Sequence, residues 1–367
     1  MSGMADSDSP SGSEGIPAPR ENPDLIGHAA AERALLDAYR AARLSHAWLI
    51  CGPRGIGKAT LAYRFARHVL SGGAGTEPET LAVPSSNMTF QRIAAGGHGD
   101  LMALERETDD KTGRMRSEIV VDDVRKLHHF FNMTSAETPW RIAIVDSADE
   151  MNRNAANALL KMLEEPPSRG LLLLIAHAPG RLLPTIRSRC RRLDLRPLSI
   201  ETVADVIALR RPDIHGPERL ALAHLAGGSP GRALEIAASG GIGFYEDLTG
   251  HLERLPSLDI PALYRFADKL AEKGNENMFR IFATLLEDWF SRMILSAAAG
   301  PKALASGHEM AERDGALMAR FAAARPLDRW LALRDELLAL FAQAEGLRLD
   351  QRQVVVDCFT KMQRALS

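Results

Sequence analysis

Along the first half of the chain, short apolar runs alternate with stretches whose apolar residues recur every three or four positions. Runs of that kind predict buried strands, and the intervening spacing predicts helices laid against them. The strands fall at Ala47–Cys51, Asp100–Glu105, Arg141–Asp146, Leu171–Ala176 and, shorter, Arg192–Leu195. Helices are expected from Gly57 into Leu70, over Val120–Phe131 and over Arg153–Leu163. An alternation of this order is the signature of a parallel sheet covered by helices, so residues 24–197 read as an α/β domain. Residues 71–99 are rich in Gly, Pro and Ser with little periodicity and are expected to be an irregular insert.

After Pro197 the strand signal stops. Helical stretches near Ile200–Leu209, Pro217–Ala226 and Pro230–Ala238, separated by Arg-Pro and Gly-Gly-Ser punctuation, make residues 198–240 a small helical domain. Residues 241–367 read as all-helical. There Phe282, Leu285, Leu286, Trp289, Met293 and Ile294 follow helical spacing, and Leu331–Phe341 and Val354–Leu366 repeat the device. Residues 1–23, dominated by Ser, Gly, Pro and acid, have the composition of a disordered tail and lack the apolar core of a secretory signal.

Composition narrows the function classes. With 46% hydrophobic and 25% charged residues, the 367-residue chain reads as a multidomain globular protein. Its 45 basic and 47 acidic residues leave a net charge of −2, which argues against tight, autonomous binding of a polyanion. Aromatics at 5% supply no evident stacking platform for nucleic acid. Cys51, Cys190 and Cys358 are too scattered for a disulfide framework or zinc knuckle, which fits a reducing cytosol. The apolar run LLLLIA at 171–176 is too short to span a bilayer, and Phe279–Ala298 is interrupted by Arg280, Glu287, Asp288 and Arg292, so no membrane span is expected.

The candidate chemistry begins at Gly52–Thr60, GPRGIGKAT, between a predicted strand and a predicted helix. Gly52, Gly55 and Gly57 would let backbone N–H groups close around phosphate oxygens, with Lys58 as a point charge on the terminal phosphates. The same residues could instead form a tight strand-to-helix turn that binds nothing. Ala59 stands where such loops carry the hydroxyl that ligates magnesium. Thr60, one position later, is rotated by about 100° on a helix and is a poor substitute. The strand RIAIVD ends in Asp146, placed to approach magnesium through water, but Ser147 follows where hydrolytic proteins of this architecture carry a Glu. Asp149 and Glu150 are read as the start of a helix rather than as the missing pair. Losing the metal ligand and the water-polarising group together removes most of what accelerates phosphoryl transfer. The loop is therefore expected to hold ADP or ATP loosely and not to turn it over.

Downstream, NAANALLKMLEEPPSRGLLLLIAHAPGRLLPTIRSRC (154–190), SHAWLICGPRGIGKATLA (45–62) and GGSPGRAL (227–234) occur in the order found in the clamp-loader branch of the AAA+ proteins, which the chain resembles over about residues 24–240. On its own terms, the stripe Ala155, Ala158, Leu159, Met162 and Leu163 packs a helix on the sheet, and Pro166–Pro167 ends it.

The resemblance implies a RecA-like AAA+ domain, a helical lid and a C-terminal helical collar through which subunits assemble. It places Arg189 at the arginine-finger position of Ser-Arg-Cys, offered in trans to a neighbour's γ-phosphate; read without it, Arg189 is a surface arginine in a basic run with Arg187, Arg191 and Arg192. Arg232 matches the lid arginine that touches nucleotide in active relatives, and equally fits a charged residue in the first turn of a helix. Ala176 and His177 fall where relatives carry a sensor Thr or Asn. Residues 71–99 hold no Cys, so the zinc module of many relatives is excluded. His128 and His129, adjacent on a helix, cannot face one metal. The partners implied are the other clamp-loader subunits, gamma/tau-type ATPases and delta among them, a sliding clamp, and primed DNA only within the complex. An autonomous AAA+ ATPase using Lys58 and Asp146 is the alternative.

Overall fold

The computed structural model describes residues 17–73, 79–109, 114–116, 118–133, 137–272, 276–299, 309–347 and 349–366. The chain forms two compact units, one running to Asp213 and including Ala226–Arg232, the other comprising Ile214–Leu225 and the residues from Ala233 onward.

The first unit is built on a five-stranded sheet. Its strands are β1 (Ala47–Cys51), β2 (Leu101–Leu104), β3 (Arg141–Asp146), β4 (Gly170–Ala176) and β5 (Arg191–Asp194), in the order β2-β3-β4-β1-β5 with every pair parallel. Every residue of β1 and β4 is buried, as expected of strands covered on both faces. One face packs on α1 (Ala29–Arg40) and α2 (Lys58–Leu70) through Leu35, Trp48, Ile50, Leu61 and Phe65. The other packs on α4 (Val121–Asn132), α5 (Arg153–Glu164) and α6 (Pro184–Arg189) through Leu49, Val124, Leu159, Leu172 and Ile186.

The long apolar strands lie where the sequence put them, and β5 is shifted by one residue. The insert differs from expectation. It contains the seven-residue helix α3 (Met88–Ala94), whose N-terminus is capped by Asn87 accepting from Thr89 N, and whose Phe90 and Ile93 are buried. The guanidinium of Arg67 lies 4.4 Å over the Phe90 ring. A two-residue antiparallel pairing of Thr108–Asp109 with Arg114–Met115, also unforeseen, follows β2.

The register aligns the ends of the central strands: Cys51 is level with Ala176, and Asp146 with Ile175. Because β1 sits between β4 and β5 rather than beside β2, the chain reverses direction across the sheet at β1. The crevice beyond the C-terminal ends of such strands is where ligands of open α/β sheets are held. The loop after β1, the turn after β3 and the turn after β4 all meet there. Helix α7 (Ile200–Arg210) completes the unit, capped by Ser199.

The second unit holds α8 (Gly216–Leu225) and the six helices α10 (Gly241–Arg254), α11 (Ile260–Leu270), α12 (Glu276–Ala299), α13 (Glu309–Ala324), α14 (Leu327–Leu347) and α15 (Gln351–Leu366); α9 is Pro230–Ala238. Of the expected α12 stripe, Phe282, Leu285, Leu286, Trp289 and Met293 are buried and Ile294 is half-buried. Phe266, Phe282 and Phe359 form one aromatic cluster, and Trp289, Phe290, Phe321 and Trp330 another. Tyr245, from α10, donates at 2.5 Å to the buried carboxylate of Asp314 on α13, and Arg292 on α12 donates to both. Among the described residues no helix is long and apolar enough to cross a membrane.

Candidate functional site

The loop between β1 and α2 needs its glycines. Gly52 has φ +150° and Gly55 φ +74°, and a Cβ on Gly52 would lie 2.6 Å from the carbonyl oxygen of Leu195. Gly57, at φ +105°, is the N-cap of α2. The glycine-rich pattern is therefore dictated by backbone shape.

Lys58 heads α2 and is only 3% exposed. Its Nζ donates to Gly52 O and Pro53 O, each at 2.7 Å, and lies 2.6 Å from His177 Nδ1. An ammonium has only donors, so Nδ1 is the acceptor and the imidazole carries its proton on Nε2. That nitrogen donates to Ser147 Oγ at 2.7 Å, and the Ser147 hydroxyl donates to Asp146 Oδ1 at 3.0 Å. A single polarised chain thus runs from the loop lysine, through the histidine after β4, to the acid that ends β3. Lys58 and Asp146, named independently from the sequence, are joined by it without touching.

Burial governs the charges. It pushes Lys58 down to about 8, against the pull of the Asp146 and Asp149 carboxylates. His177 is pushed down to about 4, by burial first and by the Lys58 charge second, so the ring is neutral at pH 7. Asp146 is raised by burial, opposed by the hydrogen bond from Ser147. A neutral ring with a bare Nδ1 is the form that can accept from the ammonium.

Asp149 and Glu150 lie in a 3-10 turn, Ala148–Glu150, so the residues do begin helical backbone. Their carboxylates have other work. Asp149 accepts the backbone N–H of His177 (3.1 Å) and of Ala178 (2.7 Å), fixing the turn that carries the histidine, while Glu150 pairs with Arg106 at 2.8 Å. The α5 cap is instead Asn152, which accepts from Ala155 N. Ala59 packs against the apolar cluster under α2, and Thr60 is buried at 8% exposure.

The GGSPGRAL segment lies directly on the loop. Ser229 Oγ donates to Arg54 O at 2.7 Å and Gly231 N donates to Gly55 O at 2.8 Å. The approach is so close that a Cβ on Gly231 would sit 2.8 Å from Gly55 backbone atoms. Arg232 follows at once, its backbone N–H on Ser229 Oγ at 3.4 Å. On the other side His28 Nε2 meets Ile56 O at 2.9 Å. Gly52, Gly55, Gly57, Lys58, Asp146 and Arg232 are thus gathered around one loop. Arg189 is placed elsewhere, at the C-terminal end of α6, with Nη1 on Thr185 O and Nη2 at 2.8 Å from Glu164 Oε1.

Sequence reasoning missed the parts played by Ser229 and His28, and noted His177 only as a departure from Thr or Asn. The signal for His177 was its position just past the strand paired with β1, level with the loop.

The sheet order, the glycine-lysine loop after β1 and the acid ending β3 define the α/β domain of an AAA+ protein, followed by a helical region. A family model described as "DNA polymerase III, delta subunit" matches residues 27–199. DNA polymerase III subunit delta' of Pseudomonas aeruginosa is 34% identical over 249 residues, covering 68% of this chain and 70% of the relative. The delta' subunit of Bacillus subtilis is 34% identical over 173 residues, 47% of this chain and 49% of its own length. DNA polymerase III subunit tau of Escherichia coli is 30% identical over 186 residues, 50% of this chain but only 27% of tau. The chain belongs to the family of DNA polymerase III delta' subunits, the clamp-loader branch of the AAA+ proteins.

Proposed function

We propose that this chain serves its clamp loader as a non-hydrolysing subunit, which lends Arg189 to the ATP of a neighbouring gamma/tau-type subunit while a sliding clamp is opened and placed on primed DNA. The observation that carries the first part is the state of Lys58, whose ammonium is engaged by two carbonyls of its own loop and by His177. Ala59 and Ser147 support it, since neither a magnesium hydroxyl ligand nor a water-polarising carboxylate stands in its usual place. ADP or ATP held by Gly52, Gly55, Gly57, Lys58 and Arg232, with Asp146 nearby, would be held weakly, because the lysine must first leave three partners.

The second part rests on Arg189 in Ser188–Arg189–Cys190, a guanidinium at a helix end with an exposure of 36%. An arginine supplied in trans to a transferring phosphoryl group is worth roughly 10³–10⁵ in rate. The remaining partners, the delta subunit and the helical collar of residues 241–367, and a cytoplasmic location belong to the same proposal, as does DNA contact only within the complex.

The test has two stages. ATP turnover of the purified chain is expected to be at background, and turnover of the complex reconstituted with its tau-like subunits is expected to fall steeply with Arg189→Ala. Brisk hydrolysis by the chain alone would support the autonomous ATPase instead, as would tight, magnesium-dependent binding of a fluorescent ATP analogue that Lys58→Ala abolishes.

A further inference from the structure

Arg189 is held within its own chain before any neighbour is considered. Its Nη2 lies 2.8 Å from Glu164 Oε1, and its Nη1 donates to the carbonyl of Thr185 one turn earlier on α6. Glu164 is the last residue of α5. That helix is locked to the sheet by buried Ala155, Leu159, Met162 and Leu163, and α6 by buried Ile186. Acid and guanidinium therefore face each other from two fixed helices that pack on the same face of the sheet.

The pair is open to a competitor. The side chains are 36% and 52% exposed, so a ligand can reach either. A guanidinium has five N–H donors, of which these contacts use two; the others remain for phosphate oxygens. A carboxylate this near also cancels much of the field the arginine would present to another anion. An exposed pair of this kind is weak, enough to bias a side chain and little enough to be exchanged. Lys161, exposed and one turn earlier on α5, is within helical reach of Glu164 once the arginine has left.

We propose that Glu164 is a positioning residue that parks Arg189, so that the arginine engages the terminal phosphate of a neighbour's nucleoside triphosphate by exchanging one anion for the other. This rests on the trans-acting role given to Arg189 above. Glu164 acts against engagement: its carboxylate makes the neighbour's ATP harder to hold, not harder to cleave once held.

The experiment measures KM for ATP and kcat of the reconstituted complex carrying this chain as wild type, Glu164→Gln, Arg189→Ala or both. Removing the parking charge is expected to lower KM about two- to five-fold, the equivalent of an exposed ion pair, with a smaller change in kcat. The gain should vanish in the Arg189→Ala background. It should also shrink as salt is raised from about 0.05 to about 0.5 M, because the charge it removes is screened. Glu164→Asp, which keeps the charge, is expected to stay near wild type. An unchanged or raised KM in Glu164→Gln, or a gain that survives without Arg189, overturns the parking role even where Arg189→Ala alone depresses turnover. Should Arg189→Ala leave turnover intact, the trans-acting reading itself fails, and the parking role with it.

Discussion

His177 shows how one side chain alters the meaning of a motif. An imidazole with a bare Nδ1 accepts from the Lys58 ammonium at 2.6 Å and so competes with any other acceptor for that charge. The competition has a pH signature. The ring protonates near 4 in the folded chain and near 6.5 when unfolded, so between those values the unfolded chain binds more protons and stability falls as pH is lowered. His28, His68, His98 and His251 are also shifted down by burial and act in the same direction, so the comparison must be with a variant. From pH 6.5 to pH 4 the wild type is expected to lose stability relative to His177→Gln, by up to about 3 kcal/mol, in denaturant titrations across that range. A constant difference would show that the ring is not held neutral. At the loop itself, Lys58→Ala is expected to leave the ATP turnover of the assembled complex within about two-fold, since the proposed function places the reaction in the neighbour.

At the scale of elements, the loop and the segment laid on it behave as one unit. Gly231 N reaches Gly55 O, and no room is left for a side chain between them. Gly231→Ala is therefore expected to destabilise the first unit by about 1–3 kcal/mol, as overpacking does, seen as a lower Tm in thermal unfolding. Asn152→Ala removes the α5 cap and is expected to cost about 1 kcal/mol in the same measurement. Elements were also where the sequence was most legible. The runs at β1, β3 and β4 could be placed to within a residue because strands buried on both faces are apolar throughout. Helix α3 was not legible: seven residues with Phe90 and Ile93 as its buried contacts carry too short a period, and a cation-π contact with Arg67, distant in sequence, holds Phe90.

For the whole molecule, near-neutral charge sets the expectation for nucleic acid. With a net charge of −2 the isolated chain is expected to bind primed DNA weakly and to lose that binding between about 0.05 and about 0.2 M salt, by fluorescence anisotropy. In the second unit, Tyr245→Phe leaves the Asp314 carboxylate, 4% exposed, with Arg292 but without its short hydrogen bond. A loss of about 1–3 kcal/mol by denaturant unfolding is expected. An unchanged midpoint would mean that Asp314 finds water in place of the phenol.

The sequence by itself determined the α/β character of the first half, the helical second half, and the glycine and lysine positions of the loop, because burial periodicity and backbone shape are local properties written in consecutive residues. The tertiary structure alone decided which groups that loop meets. Lys58 and His177 are 119 positions apart, Ser229 and Arg54 are 175 apart, and Glu164 meets Arg189 across two helices. Partnerships of that kind exist only once the sheet has brought the ends of its strands to one edge, and no pattern along the chain encodes which donor finds which acceptor there.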